Sequence, residues 1–322
     1  MTRLGGGAKM PPGSPLRAAV STRRIWLQAA ALAAVSGAVP ARAAPAAGLA
    51  IVGILEGSAR LIRRAQRFAV LEGLALQAED IVETAAGGFA QIEFADGLLI
   101  GLGDRSRLML APRWTPSAAR DKPARAPLLY LLDGWLKFSQ GGAAPAGPAT
   151  RGDCLSPRLA LNCKDATVVL QLEAAQSAAF VETGALRLAE RGGARGTLDV
   201  PANGFVVLRA TGKPELAQRP SADFLAGMPR PFRDPLPARA ARFAGREIVP
   251  KPLAEVSYDD VSAWLQAEPA LRLPLLKRWR GRAADPAFRR AVQANLAAHP
   301  EWEPVVYPER FRPKDGGSAG SR

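Results

Sequence analysis

The sequence predicts a mainly β protein, with short antiparallel or solenoid-like strands in a sandwich-like arrangement and a small α-helical C-terminal region. Three observations predict it. From about residue 48 to 138, short segments rich in Val, Ile, Leu and Phe are bounded by Gly and acidic turns, and no helical period persists. An acid-Gly phrase between such segments recurs along the chain. From Ser257 the apolar period changes to 3.6 residues.

The clearest strand is Phe89-Ala90-Gln91-Ile92-Glu93-Phe94-Ala95. Alternation sends Ala90, Ile92 and Phe94 to one face and Gln91 and Glu93 to the other. The expectation is that the first set is buried and the second exposed. Phe94→Ala should then cost about 3–5 kcal/mol, and Glu93→Ala should lie within about 0.5 kcal/mol of neutral. Asp96-Gly97 follows, and Asp-Gly between two strands is a hairpin signal because both residues tolerate positive φ. Related phrases stand at Leu55-Glu56-Gly57, Leu71-Glu72-Gly73, Leu132-Asp133-Gly134 and Glu182-Thr183-Gly184. Repetition suggests stacked similar units, while a two-sheet sandwich built from hairpins would give the same phrase.

Residues 112–127 and 139–152 read as loops, and strands resume at about 159 and continue to Leu208. The β-domain is therefore placed at 48–210. Residues 211–256 hold many prolines and read as an extended strap. In the helical region 257–310, Ser257-Tyr258-Asp259-Asp260 resembles a capping box ahead of Val261, Trp264 and Leu265. A short helix is expected around 275–280, ended by Gly281. Asp285-Pro286 opens another, with Phe288, Val292 and Leu296 at helical spacing until Pro300. Residues 311–322 read as a disordered tail.

The start of the chain reads as an export signal rather than as part of the fold. Arg23-Arg24 is followed by an Ala-rich apolar run from Ile25 to Val39, then by Pro40-Ala41-Arg42-Ala43. A charged start, a short apolar run and a small-x-small site, here Ala41 and Ala43, describe a secretory signal peptide cleaved after Ala43. An uncleaved anchor or an unprocessed Ala-rich tail is the alternative. The Arg pair followed by Ile25-Trp26-Leu27 fits a twin-arginine signal, although Arg pairs also occur in ordinary secretory signals. The run falls short of the roughly 20 apolar residues of a transmembrane helix, so no stable membrane helix is expected after processing. Localisation is expected to be periplasmic.

The full chain carries a formal charge of +14. Residues 44–226 hold 20 basic and 18 acidic side chains, whereas 227–322 hold 17 and 11. The basic excess thus lies in the C-terminal part, as a solvated surface or as an attraction to anionic envelope polymers or lipid headgroups. An exported protein rarely meets nucleic acid, so no nucleic-acid partner is expected. Cys154 and Cys163 are the two cysteines, on either side of a Ser-Pro turn, and an oxidising compartment makes them a plausible disulfide pair. With no further Cys or His beside them they do not form a zinc site, and no metal or cofactor is expected.

Several phrases in order carry a resemblance. They are Gly53 with Glu56-Gly57, Leu71-Glu72-Gly73, and Asp80-Ile81-Val82-Glu83-Thr84. The run Ala90 to Gly97, the segment from Leu128 to Phe138, Phe180 to Leu188, and Pro201-Ala202-Asn203-Gly204 complete the set. Together these resemble the FecR domain family over roughly half of the chain. The resemblance implies a periplasmic β-domain that, in the namesake proteins, relays a signal from an outer-membrane transporter. Those relays carry a cytoplasmic anti-sigma segment before a membrane helix. Only about 20 residues precede Arg23, too few for that segment, so a retained exported binding module is expected.

Catalytic signals are weak. The one histidine, His299, stands before Pro300, where a cation would be favoured by the end of a helix. Asp259-Asp260 reads as a first-turn acidic pair, and Asp96 and Asp133 read as turn formers. Gly101-Leu102-Gly103 lacks the rest of a dinucleotide loop. Trp114, Trp135, Trp264, Trp279 and Trp302 read as packing residues or strap anchors, with ligand-stacking platforms as the alternative. The sequence therefore predicts no catalytic residue. It points to a recognition or sensory module with an envelope protein as partner, or to a binder of peptidoglycan or another anionic cell-wall polymer.

Overall fold

The structure is a computed structural model that describes residues 48–115, 126–140, 152–191 and 196–311. The export signal with Arg23, Arg24, Ala41 and Ala43 lies outside the described residues. So do the middle parts of both expected loops and the tail beyond Phe311.

Among the described residues the chain is mainly β, with helices concentrated at the C-terminus. The first strands are β1 (Ala50–Glu56), β2 (Ala59–Arg63), β3 (Gln66–Ala69), β4 (Ala75–Leu76) and β5 (Ile81–Thr84). Next come β6 (Phe89–Phe94), β7 (Leu98–Leu102), β8 (Arg107–Leu110), β9 (Leu129–Gln140) and β10 (Gly152–Leu155). Then follow β11 (Leu159–Leu172), β12 (Gln176–Glu190), β13 (Leu198–Pro201), β14 (Phe205–Arg209), β15 (Glu215–Ala217) and β16 (Lys251–Glu255). The α-helices are α1 (Ala222–Gly227), α2 (Tyr258–Leu265), α3 (Pro269–Trp279), α4 (Pro286–Ala294) and α5 (Glu303–Val306).

All strands join one sheet that folds back on itself as a small barrel. One layer runs β4-β1-β6-β7-β9-β11-β12-β14-β15, and the other runs β16-β3-β2-β5-β8-β9-β10-β11-β12-β13. The long strands β9, β11 and β12 belong to both layers. Among the described residues every pairing is antiparallel except β9 with β10.

How a strand serves two layers is visible in its side chains. In β9, Leu129 and Leu131 point into the central core, but after Gly134 the inward residues are Leu136 and Phe138. In β11 the inward set changes from Leu159, Leu161 and Cys163 to Ala166, Val168 and Leu170. In β12 it changes from Ala179 and Val181 to Leu186 and Leu188. Each switch moves the pattern by one residue, as a β-bulge does. The switches coincide with Gly134 (φ 94°), Asp165 (φ 48°) and Gly184 (φ 72°). A Cβ on Gly134 would stand 2.3 Å from the Ser106 hydroxyl, which accepts the Trp135 amide at 2.7 Å. Asp133-Gly134 and Thr183-Gly184 are therefore bends inside long strands, which corrects the expectation that they separate short strands. Asp96-Gly97 does turn the β6–β7 hairpin. Glu56-Gly57 leads between strands that are not paired, since β1 bonds β4 and β6 while β2 bonds β3 and β5.

Both outer faces of the barrel are covered. Residues 218–243, from the strap, lie on the first layer, where Phe224, Met228, Phe232 and Leu236 pack on Phe89, Leu99, Trp135, Val169 and Phe205. The strap is also stitched in at both ends, β15 pairing with β14 and β16 with β3. Helices α2 to α5 lie on the second layer, where Val261, Trp264, Leu271, Trp279, Phe288 and Val292 pack with Ile62, Ile81, Met109 and Tyr130.

The helical starts follow the sequence. Ser257 and Asp260 form the capping box of α2, and Asp285 caps α4 with Pro286 in its first turn. Three boundaries differ, one being Gly281, which does not end the middle helix but lies inside a 3-10 turn, Arg280–Ala284, that follows it. The middle helix, α3, begins at Pro269 rather than near 275, with Pro274 inside it. Proline lacks the N–H that would reach the Ala270 carbonyl, and the Thr115 amide takes that acceptor instead at 3.0 Å. Further on, α4 stops at Ala294, and short 3-10 turns carry the chain past Pro300.

Candidate functional site

The strap is held by charge as well as by rings. Glu93 is 3% exposed, and its carboxylate accepts the backbone amides of Arg239 and Ala240, at 2.8 Å each, and the Gln91 side-chain amide at 2.9 Å. Gln91 also donates to the Pro237 carbonyl at 2.6 Å. Both residues were expected to be exposed. They are buried because the face they point to is roofed by the strap, so alternation gave the right register and the wrong environment. Gly53 makes room for this carboxylate, since a Cβ there would stand 1.9 Å from the Glu93 Oε1 atom.

Lys137 repeats the device with the opposite sign. It is 1% exposed, and its ammonium donates to the carbonyls of Phe232 at 2.7 Å and Asp234 at 3.2 Å, and to Glu182 at 3.0 Å. Gly101 also serves the strap, because a Cβ there would meet the Phe232 ring at 2.9 Å. Phe224 sits between Trp135 and Phe205, with ring centroids 5.1 and 5.0 Å away. A charged residue within Trp135-Leu136-Lys137-Phe138 was the one sequence signal of this clamp.

Across the barrel, Glu83 accepts the Trp264 indole N–H at 2.9 Å and pairs with Arg60. Asp260 receives Arg60 and Arg67, each at 2.9 Å. Burial works against the Asp260 charge, but the Ser257 hydrogen bonds and the two guanidinium groups outweigh it and hold the carboxyl below its usual range. Asp259 has no part in this network, so the acidic pair divides its roles. Glu268 accepts the Tyr130 hydroxyl at 2.8 Å and forms an ion pair with Arg191. Burial, then the Glu268 charge, raises the Tyr130 pKa well above the usual phenol range.

His299 is not the helix-end cation its position suggested. It is fully buried, stacked on Tyr258 at 5.7 Å and edge-on to Trp302 at 6.4 Å. Burial and then the Arg272 charge lower its pKa, which favours the neutral ring.

Cys154 and Cys163 carry free thiols, which corrects the expected disulfide. Strand pairing sets Cys154 opposite Leu161 and Cys163 opposite Gly152, so the two cysteines are diagonal neighbours. Such neighbours lie about 7–8 Å apart, beyond the roughly 4.4–6.8 Å of a disulfide. Both are buried in the central core; burial pushes the Cys154 thiol up to about 12 and raises that of Cys163 too.

Trp264, Trp279 and Trp302 are fully buried, and Trp135 is nearly so. Trp114 is half-buried, with the Arg191 guanidinium 5.1 Å from its ring centre. It lines a cleft of about 770 Å³ between the β2–β3 turn, the segment after β8 and the last turn of α3. Arg278 forms one side, donating to the carbonyls of Ile62, Arg64 and Glu79 at 2.9, 2.8 and 2.6 Å. Burial lowers its pKa to about 10, so it stays charged. Among the described residues, no three His, Cys, Asp or Glu side chains are grouped to hold a metal ion, and no helix is long and apolar enough to cross a membrane.

No family model and no curated protein matches the chain. Among solved structures, two of a "putative anti-sigma factor" from Parabacteroides distasonis ATCC 8503 are similar to it. The first has 12% identity and a TM-score of 0.34, covering 46% of this chain and 64% of its own. The second has 12% identity and a TM-score of 0.33, covering 43% and 59%. The chain thus spans less than two thirds of the length of either.

Proposed function

We propose that this chain is a non-catalytic recognition or sensory module of the periplasm, built on a FecR-like domain, with an envelope protein as its partner. The observation that supports this most is how buried charge is used. Glu83, Glu93, Lys137, Asp260 and Arg278 each fasten a covering layer to the barrel. Polar chemistry inside this fold is spent on holding a rigid surface, which is what recognition needs.

A second reading is peptidoglycan or another anionic envelope polymer as the ligand. It is favoured by the basic excess of 227–322 and by the cleft beside Trp114. A pull-down from cross-linked periplasm separates the two. A discrete protein recovered with the mature chain is expected from the first, whereas co-sedimentation with purified cell wall and no protein partner would overturn it. The same preparation tests export. The mature N-terminus should be Ala44, and changing Arg23 and Arg24 together to Lys should block export; a protein still beginning at Met1 would remove the periplasmic assignment.

A further inference from the structure

We propose that the cleft beside Trp114 binds a carboxylate-bearing glycopeptide of the cell envelope. This rests on the polymer-binding reading above and gives it a place and a chemistry. Five cationic side chains line the cleft against two carboxylates. Both carboxylates are already matched, Asp80 by Arg63 at 2.6 Å and Glu79 by Arg113 at 2.6 Å. Arg64 and Lys277, by contrast, are exposed and make no side-chain hydrogen bond or ion pair with the described residues. The net field in the cleft is therefore positive, and two of its cations are available to a ligand.

The way these cations are held makes the site more than a basic patch. Arg64 occupies the tight β2–β3 turn with φ 55°, and its carbonyl accepts both Arg278 and the Trp279 indole N–H. The turn is thus pinned to α3, and Lys277 precedes Arg278 on that helix. A guanidinium and an ammonium on two fastened elements suit a carboxylate, which takes Arg through two parallel hydrogen bonds.

Shape and lining narrow the class further. A volume of about 770 Å³ falls within the range of roughly 300–1,000 Å³ for small-ligand pockets. Trp114 offers part of its indole, and Gln77 and Thr115 offer an amide and a hydroxyl, partners for the apolar and hydroxyl groups of a sugar. The charge lies in a concavity rather than on a flat face, which favours a discrete anionic chain over a bilayer surface.

The test is calorimetric titration of the mature full-length chain with a soluble muropeptide, a disaccharide bearing a peptide stem with free carboxylates. One saturable site is expected, weakened at least about tenfold by the Arg64→Glu, Lys277→Glu pair and similarly by amidating the ligand carboxylates. Reversing Arg280 and Arg290, exposed charges outside the cleft, should leave binding unchanged. If thermal melting shows the first pair to be misfolded, Arg64→Ala with Lys277→Ala gives the same comparison without reversal. Absent binding, binding that survives the loss of both cleft cations, or preference for phosphatidylglycerol vesicles over the muropeptide would each overturn the proposal. A protein captured in the pull-down would leave the first reading standing whatever the titration shows.

Discussion

The two covered faces of the barrel solve one problem by different means. On the helix side, amphipathic helices present Val261, Trp264, Leu265, Phe288 and Val292, all buried, and these helices satisfy most of their own backbone. On the strap side the cover is one short helix, α1, with isolated 3-10 turns between irregular stretches, so much of the covering backbone brings unpaired amides and carbonyls against the sheet. The sheet must then supply partners, and buried Glu93 and Lys137 do so, one accepting strap amides and the other donating to strap carbonyls. An irregular cover requires buried charge beneath it. The helical cover is fastened by charge too, but there Asp260 closes a helix cap and Glu83, in the sheet below, meets the Trp264 side chain rather than unpaired backbone of the cover.

The largest effect that could break this contrast belongs to the helix side. Trp264→Ala removes a fully buried indole and leaves Glu83 without its 2.9 Å donor, so a loss of about 3–5 kcal/mol is expected in denaturant unfolding. A loss below 1 kcal/mol would mean that the helices only rest on the barrel.

Glu93→Ala comes next, at about 2–4 kcal/mol, because it leaves strap amides unsatisfied over an apolar sheet. Its signature should be local: limited proteolysis should cut within 228–243 while the helical layer stays protected. Simultaneous loss of both covers would show that the two faces are one cooperative unit.

A smaller effect concerns pH. The folded pKa of His299 lies below its ordinary 6.5, so the unfolded chain takes up that proton first. The His299 contribution to stability is complete above about pH 6.5 and is lost as pH falls below it. His299→Phe should flatten that part of the stability profile, and a slope that persists would place its origin elsewhere. The smallest effect serves as a control. Glu303, paired with Arg310 at an exposed site, should change stability by no more than about 0.5 kcal/mol when replaced by Ala.

The contrast also explains what could be read in advance. Helical cover declares itself through a period of 3.6 and through caps, so Ser257-Asp260 and Asp285-Pro286 were legible, as were the residues the helices bury. Strand content was legible for the same reason, and Ile92 and Phe94 face the core as alternation requires. A strap has no period. Its anchors Phe224, Phe232 and Leu236 are single apolar residues among prolines, and nothing local says which face they will roof. The burial of Gln91 and Glu93 was therefore invisible from β6 alone. Gly134 and Gly184 were equally ambiguous, since a bulge within a strand and a turn between strands call for the same acid-Gly chemistry. The α3–turn contact that shapes the cleft joins Arg278 to Arg64 across 214 residues, a separation beyond any local pattern.

The most direct test of the strap account is amide hydrogen exchange at Arg239 and Ala240, the two strap residues whose N–H groups bond to Glu93. Their amides should exchange as slowly as those of the strands beneath, and the protection should vanish in Glu93→Ala while that of β9 remains. Exchange at unprotected, free-peptide rates in the wild-type chain would contradict the account, because the strap would then not be fastened to the barrel at all.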